Sequence, residues 1–157
     1  MSSTATFPPT SGLAQGATRS FALPSPFRLQ GGGELVGAVV AVETWGELNA
    51  ARDNAVLVFT GLSVGAHAAS HHGDSVAGWW EKQVGPGKAL DTDQLFVLCV
   101  NSLGSCFGST GPAATNPATG ESYGTTFPLL HVADIARAGQ AAVEQLGIQK
   151  LLAVVGP

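Results

Sequence analysis

The segment Leu151-Leu-Ala-Val-Val-Gly-Pro157 has the pattern of a buried strand that leads into a turn. Its five consecutive apolar residues, followed by Gly156, are typical of a central parallel strand in an α/β sheet. In enzymes with a serine nucleophile, such a strand often leads into a sharp Gly-x-Ser-x-Gly turn. Gly156 and Pro157 match the first two positions of that turn, and the sequence ends before the third. We therefore expect a nucleophilic serine to follow Pro157, outside this chain.

The elements upstream of this strand predict an α/β fold with a mostly parallel sheet. Two further apolar runs, at 55–59 and 95–100, have the composition of buried parallel strands. Between residues 132 and 146, apolar residues recur at offsets of three and four, which predicts an amphipathic helix with Asp134 in its first turn and Gly147 as its C-terminal cap. Because ligands of such sheets bind at the carboxyl ends of the strands, we expect the loops after the three strands to converge on a site.

The first part of the chain differs from the rest in composition. Residues 1–26 are rich in Ser, Thr, Pro and Ala and contain few large apolar residues, so we expect a flexible arm. From residue 27 onwards, extended and β-branched residues flank the turn Gly31-Gly-Gly33, which predicts a hairpin at the edge of the sheet. Residues 27–157 are therefore expected to form the N-terminal portion of one core domain.

Charge and composition argue against several classes of protein. With 157 residues, of which 45% are hydrophobic, the chain is long enough for one domain with a core. Its net charge of −4 and its seven scattered basic residues argue against a nucleic-acid surface. No apolar run approaches the roughly 18 residues that a membrane helix needs, and the N-terminus lacks the pattern of a secretory signal. We expect a cytoplasmic protein that binds neither nucleic acid nor membranes.

The loop after Phe59 is the first candidate for a functional site. If a nucleophilic serine follows Pro157, one oxyanion-stabilising backbone N–H is expected in this earlier loop, and Leu62 or a neighbour is the natural donor. An ordinary turn at the end of a strand explains the same residues equally well. The walls of a substrate site around this loop are predicted to be Gly61, Ser63, Asn101 and Gly104.

Three other patterns invite a chemical interpretation, and each has a simpler one. His67 and His71 would share one face of a helix, but no Glu or Cys at a useful spacing completes a zinc set, so we expect no metal. Glycines at 104, 108 and 111 match neither nucleotide-binding pattern, so we predict a loop that lines a cleft and no bound cofactor. Cys106 has no neighbouring charge that would lower the pKa of its thiol, so we interpret it as a wall residue.

A series of motifs, in order between residues 27 and 157, carries a more specific resemblance. The main motifs are Glu43-Thr-Trp-Gly-Glu-Leu-Asn49, Gly78-Trp-Trp80, Val84-Gly-Pro-Gly-Lys88, Asn101-Ser-Leu-Gly-Ser-Cys106, Gly108-Ser-Thr-Gly-Pro112 and Asn116-Pro-Ala-Thr-Gly120. Together they resemble the N-terminal part of the homoserine O-acetyltransferase family, which includes serine and homoserine O-acyltransferases. So many motifs in register make coincidence a poor explanation.

The resemblance implies an α/β-hydrolase fold and a ping-pong reaction of cysteine or methionine biosynthesis. Acyl-CoA, as co-substrate, acylates a serine of the enzyme, and the acyl group then passes to the hydroxyl of L-serine or L-homoserine. Leu62 matches the oxyanion-hole leucine of the family. The catalytic serine would follow Pro157 and the catalytic Asp and His would lie further downstream, so we expect this chain alone to be inactive and the complete protein to be a homodimer.

Two departures from the family pattern bear on the substrate. Thr60 and Gly61 replace the His-Ala pair common before the oxyanion-hole leucine in the acetyltransferases. Ser102, together with the segment 105–107, resembles the serine-acylating branch, which favours L-serine as acceptor and leaves acetyl and succinyl donors open. An esterase of the same fold and a non-catalytic ligand-binding α/β domain are the alternatives.

Overall fold

The structure, a computed structural model, describes residues 18–61 and 63–156 and contains one main sheet with one long helix. Its strands and helix, in chain order, are β1 (Arg19–Ala22), β2 (Phe27–Arg28), β3 (Glu34–Leu35), β4 (Val39–Trp45), β5 (Ala55–Phe59), β6 (Val84–Gly85), β7 (Leu90–Asp91), β8 (Phe96–Val100), a 3-10 helix (Gly124–Thr126), α1 (Val132–Gln145) and β9 (Leu151–Val155). The main sheet has the order β1-β4-β8-β5-β9. β8, β5 and β9 run parallel, whereas β1 and β4 are antiparallel additions, so the predicted α/β fold is confirmed.

The strands β5 and β8 are buried on both faces of the sheet, which explains why they are continuous apolar runs. In β5, Ala55 and Leu57 belong to the core on the α1 side, while Val56 and Val58 belong to the core on the opposite side. This division follows from the alternation of side chains along a strand. The opposite core is completed by residues of the long loop after β5 and its surroundings, among them Ala68, Ala69, Trp79, Trp80 and Val84.

Helix α1 packs closely on the sheet through small residues. It spans Val132–Gln145, close to the predicted 132–146. A Cβ atom on Gly139 would lie 2.5 Å from Cζ of Phe59, so glycine allows the helix to approach the end of β5. No helix among the described residues is long and apolar enough to cross a membrane.

The end of α1 has the predicted glycine cap. Gly147 has a φ of 65°, a left-handed conformation that glycine adopts without strain. Its N–H donates to the carbonyl of Glu144 at 2.9 Å, and the N–H of Ile148 donates to the carbonyl of Val143 at 3.2 Å. These two bonds form a Schellman motif, so the predicted cap is confirmed.

Asp134 links the start of α1 to the segment before β3. The side chain is buried, and its carboxylate accepts hydrogen bonds from the backbone N–H groups of His131 and Gln30, each at 2.9 Å, and from the guanidinium of Arg137. Burial alone would raise the pKa of Asp134, but these donors outweigh it and hold the pKa below its ordinary value of 3.8. The residue therefore does more than complement the helix dipole, which was the role predicted from its position.

The predicted boundary of the flexible arm at residue 26 is wrong for its last part. Arg19–Ala22 forms β1, which pairs with β4 at the edge of the main sheet. Its Phe21 packs against the core on the α1 side, which supplies apolar burial that the composition of residues 1–26 does not suggest. Residues 1–17 lie outside the described residues.

The predicted hairpin exists, but it does not form the edge of the main sheet. Phe27 pairs with Leu35 and Arg28 with Glu34 in a separate two-stranded ladder. Gly37, with a φ of 65°, interrupts the extended segment before β4 begins. The edge position is taken by β1 instead.

The strand Leu151–Val155 forms and pairs parallel to β5 as predicted. It lies at the edge of the sheet, where Leu152 and Val154 are each 60% exposed. Among the described residues only β5 pairs with it, so the apolar run that predicted a buried strand faces solvent on much of its surface.

Candidate functional site

A cavity of about 790 Å³ opens at the carboxyl ends of β5 and β8. The loop after β5 contributes Thr60 and Gly61, and the loop after β8 contributes the segment 102–105. The remaining lining comes from the segment around the 3-10 helix and from the first turns of α1, including Phe127, Leu129, Leu130, Val132, Ile135 and Ala136. Both the size and the position at the strand ends are typical of a small-molecule site.

The cavity lining is apolar on the helix side and carries hydroxyl groups on the strand side. Leu129 and Val132 are 88% and 83% exposed, so the apolar rim is open to solvent. Thr60, Ser102 and Ser105 supply the hydroxyl groups, and none of the described lining residues is charged. The cavity therefore suits a ligand with an apolar portion and a small number of hydrogen-bonding groups.

Thr60 and Ser102 join the two loops that line the cavity. The backbone N–H of Ser102 donates to Oγ1 of Thr60 at 3.4 Å, and the two hydroxyl oxygens are 3.3 Å apart. Either hydroxyl can donate to the other. This pairing fixes the start of the loop after β5. Leu62, the predicted oxyanion donor, lies outside the described residues, as does Pro157.

The four predicted wall residues occupy different positions. Gly61 and Gly104 line the cavity directly. Ser63 is exposed on the loop after β5 and is not among the lining residues, and Asn101 is buried beneath the loop after β8. Their predicted roles in substrate binding stay predictions.

Asn101 shapes the loop that lines the cavity. Its side-chain Nδ2 donates to Oγ of Ser105 at 2.6 Å and to the carbonyl of Phe107 at 2.8 Å. Its own carbonyl accepts from Oγ of Ser109 at 2.7 Å. The Asn101 side chain therefore closes the turn 101–109 from inside the protein, and its Oδ1 has no hydrogen-bond partner among the described residues.

Both the backbone conformation and the space beside Leu130 favour glycine at position 104 in this turn. Its φ of 90° lies in the left-handed region, and a Cβ atom would lie 2.8 Å from Cδ1 of Leu130.

The segment after β9 approaches the end of β5, since the Cβ position of Gly156 is 3.7 Å from Cβ of Phe59. The ends of β5, β8 and β9 therefore lie together, as the sequence predicts.

A second cluster of polar residues lies on the face of the sheet opposite α1. Glu43, in β4, is buried, and its Oε2 lies 2.9 Å from Nδ1 of His67. Nε2 of the same ring lies 2.9 Å from the carbonyl oxygen of Val76, and Thr18 donates its hydroxyl to Oε1 of Glu43 at 2.5 Å. The ligand atoms of Glu43, His67 and His71 all lie within 4.8 Å of one another.

This cluster brings to the histidines a glutamate that the spacing of residues in the sequence does not show. Glu43 is 24 residues before His67 in sequence, and no local spacing links the two. They meet because the loop after β5 folds over the face of the sheet towards which Glu43 points. The sequence shows the motif that begins at Glu43, but it does not show that His67 is the partner of Glu43.

The contacts of this cluster favour an ion pair over a metal site. Both ring nitrogens of His67 face acceptors, which requires a proton on each. Partial burial lowers the pKa of His67, but the Val76 carbonyl and the Glu43 carboxylate outweigh it and raise the pKa above its ordinary value of 6.5. Nδ1 of His71 accepts from the N–H of Gly73 at 3.1 Å, which places the proton of a neutral ring on Nε2. In this arrangement neither ring offers a free lone pair to a metal ion.

Two arginines that would suit an anionic substrate are engaged elsewhere. Nη1 of Arg52 donates to the carbonyl of Leu146 at 2.6 Å. Arg137 contacts Asp134 and donates to the carbonyl of Arg28 at 2.6 Å. Neither arginine lines the cavity, so neither supplies a charged group for a substrate carboxylate there.

Comparison with curated proteins finds similarity to amino-acid O-acyltransferases. The chain is 60% identical over 139 residues to a serine O-succinyltransferase of Stenotrophomonas maltophilia, a match that covers 88% of the chain and 38% of the relative. It is 59% identical over 140 residues to an L-serine/homoserine O-acetyltransferase of Streptomyces lavendulae, covering 89% of the chain and 37% of the relative. The resemblance to the homoserine O-acetyltransferase family is confirmed. A comparison with protein-family models gives no match.

Solved structures that the chain resembles identify the fold. A homoserine O-acetyltransferase of Bacillus anthracis is 33% identical, with a TM-score of 0.82, and the match covers 92% of the chain and 40% of that protein. Esterase E22 is 37% identical with a TM-score of 0.81, covering 90% of the chain and 40% of that protein. The fold is thus the N-terminal half of an α/β-hydrolase fold, and the chain spans less than two fifths of the curated relatives that it matches.

Proposed function

We propose that the full-length protein is an acyl-CoA-dependent O-acyltransferase that acts on the hydroxyl of L-serine or L-homoserine. The observation that carries this proposal is the 60% identity to a serine O-succinyltransferase, over a stretch that covers 88% of the chain and includes the loops around the cavity. The position of the cavity at the strand ends, where α/β sheets bind ligands, supports it. We infer further that acyl-CoA is a co-substrate and that the protein is a cytoplasmic homodimer, as the resemblance implies.

The proposed reaction has two acyl-transfer steps. A serine hydroxyl of the enzyme attacks the thioester carbonyl, an acyl-serine ester forms, and the CoA thiol leaves with a proton. The hydroxyl of the amino acid then attacks this ester, which returns the enzyme serine to its free form. In both steps negative charge develops on the carbonyl oxygen, and a backbone N–H donor stabilises it. Leu62 is proposed to supply one such donor. Gly61 and Gly104, which line the cavity, are proposed to form part of the substrate site.

The remaining residues of the proposed site are assigned more indirect roles. Ser63 is proposed to contact substrate from the exposed part of the loop after β5. Asn101 acts from below, because it holds the turn that carries Ser102 and Ser105 in the cavity wall. The uncharged, partly apolar cavity is suited to the acyl group and the adjacent part of the CoA chain, whose phosphates need cationic partners elsewhere.

L-Serine is the proposed acceptor. The segment 102–107 resembles the serine-acylating branch, and the names of several relatives at 54–60% identity refer to serine as the substrate. The test is to incubate the purified full-length protein with each pairing of acetyl-CoA or succinyl-CoA with L-serine or L-homoserine, and to identify the products by mass spectrometry. We expect O-acyl-L-serine from at least one donor. Absence of any O-acylated amino acid in all four pairings would contradict the proposal.

A related esterase is the second candidate function. The specific observation in its favour is the similarity to esterase E22, which is as close in structure as the homoserine O-acetyltransferase of Bacillus anthracis. The two functions share the acyl-serine ester and differ only in whether water or an amino-acid hydroxyl accepts the acyl group. Product analysis therefore separates them.

A further inference from the structure

We propose that His67, paired as an imidazolium with Glu43, is a positioning residue that holds the loop after β5 in the shape that the cavity wall requires. The inference rests on the proposed function, because the loop begins with the cavity residues Thr60 and Gly61. His67 itself does not line the cavity and acts only through the backbone of the loop.

The loop after β5 is fixed at two places, with the wall residue Gly61 between them. At its start, Thr60 is joined to Ser102, as described above. Further on, the indole Nε1 of Trp79 donates to the carbonyl of Gly65 at 2.9 Å, and the backbone N–H of Trp79 lies 3.4 Å from the carbonyl of His67. His67 is therefore part of the second attachment.

The His67 ring connects three segments of the chain at this second attachment. Nδ1 faces Glu43 in the inner strand β4, Nε2 faces the carbonyl of Val76, and the backbone of His67 belongs to the loop itself. A buried carboxylate such as Glu43 is unfavourable without a cationic partner, and His67 supplies that charge. A neutral side chain at position 67 would leave the Glu43 carboxylate without a compensating charge. Because the His67 ring contacts Glu43 in β4, it attaches the loop to the sheet.

The charged and titratable groups around the His67 ring are consistent with an imidazolium. From β4 it faces the carboxylate of Glu43, whose other oxygen accepts the hydroxyl proton of Thr18. From its own loop it faces Asp74, which adds further negative potential, and His71, whose ring centre is 5.9 Å away in an edge-on arrangement. The pair is therefore formed below the raised pKa of His67 and is lost as the pH rises through it.

The variant His67→Gln tests the role because a glutamine amide donates two hydrogen bonds but carries no charge. The matched control is His72→Gln, which changes an exposed histidine of the same loop. The first readout is hydrogen exchange, measured by mass spectrometry, of the backbone amides of Ala68 and Trp80 in the full-length protein, which donate to the carbonyls of Ala66 and Ala68. We expect faster exchange in His67→Gln and unchanged exchange in His72→Gln. Equal exchange in both variants and in the wild type would overturn the proposal.

The second readout is kinetic and separates positioning from substrate binding. Since small displacements of groups that position a substrate can cost about 100-fold in rate, we expect kcat of His67→Gln to fall about 10- to 100-fold with little change in KM. The kcat of the wild type should decrease as the pH rises above the raised pKa of His67, and the variant should lack this decrease. Unchanged kcat in His67→Gln, or the same pH profile in both proteins, would contradict a positioning role.

Two further measurements keep this inference separate from the proposed function and from a metal site. If no acyl transfer is found, the hydrogen exchange experiment still decides whether His67 holds the loop, because it needs no substrate. Nitrogen-15 NMR of labelled histidine should show both ring nitrogens of His67 protonated at pH 6. Stoichiometric binding of zinc ions by the wild type but not by His67→Gln would instead overturn the ion pair.

Discussion

Replacing Asp134 with Asn should destabilise the protein strongly, because this carboxylate is the buried link between α1 and the segment before β3. The two oxygens accept from the N–H groups of His131 and Gln30, and Arg137 adds a charged donor. Asparagine has nearly the same shape but only one acceptor oxygen. Its NH2 group would therefore face one of the two backbone N–H groups, and Arg137 would lose its anionic partner.

The expected loss in unfolding free energy follows from the hydrogen bonds that Asp134→Asn removes. A hydrogen bond to a charged group contributes about 1.5–3 kcal/mol, and a buried N–H left without an acceptor costs about 1–3 kcal/mol. Because the Arg137 side chain is 46% exposed, solvent screens its share of the interaction, and we expect a loss in unfolding free energy of about 1–3 kcal/mol. For a domain of this size that corresponds to a decrease in Tm of about 2–12 °C.

The assay is urea-induced unfolding, followed by circular dichroism, of the wild type, Asp134→Asn and the control Glu144→Gln. Glu144 is an exposed residue of the same helix whose carboxylate accepts a hydrogen bond from the side chain of Gln140 at 2.8 Å, so its replacement should change stability by less than about 0.5 kcal/mol. Because the pKa of Asp134 is below 3.8 in the folded protein, its contribution is present above pH 3.8 and is lost as the pH falls through the lower value. A difference between wild type and Asp134→Asn of less than 0.5 kcal/mol at pH 7, or one that does not shrink in acid, would refute this reasoning.

Two further predictions concern the other face of the sheet. Gly78→Ala should destabilise the protein by about 1–3 kcal/mol, because its Cβ would lie 2.2 Å from the backbone carbonyl carbon of Ala68. Gly73→Ala, whose Cβ would have its nearest neighbour at 3.4 Å, should not lower the Tm, and equal melting of both variants would be evidence against the packing described for this loop. Iodoacetamide should label Cys106, which is exposed, much faster than Cys99, because burial raises the pKa of the Cys99 thiol. Peptide mass spectrometry measures both sites, and comparable labelling of native Cys99 would contradict its placement in the core.

Local patterns in the sequence were sufficient to predict the parallel strands, the helix and its cap. The apolar runs of β5 and β8 and the periodicity of α1 depend on neighbours that are close in sequence. Gly147 follows the same rule, since the Schellman motif involves residues 143–148 only. For these elements the burial of the segment is encoded in its own composition.

Features that depend on distant residues were missed. β1 forms because its backbone pairs with β4, about twenty residues later, and composition alone did not show this. The same reason explains the Glu43–His67 pair, whose members meet across a strand and a long loop.

A cavity lies at the end of the sheet where the sequence predicts a site, but most of its lining was not predicted. The rule that ligands bind at the carboxyl ends of parallel strands located the cavity, and Gly61 and Gly104 line it. The contribution of α1, through Val132, Ile135 and Ala136, was not expected, because these residues were assigned to the apolar stripe that packs on the core. Residues of an amphipathic stripe can line a cavity as well as a core, and periodicity does not distinguish the two.

The partition of the acyl group between L-serine and water tests the central claim most directly. The full-length protein would be supplied with labelled succinyl-CoA or acetyl-CoA and increasing L-serine, and O-acyl-L-serine and the free acid would be measured together. An acyltransferase should give O-acyl-L-serine as the main product at saturating L-serine, with hydrolysis reduced to a small fraction. Free acid as the main product at every concentration of L-serine and L-homoserine, together with rapid hydrolysis of simple esters, would contradict the account and favour the esterase.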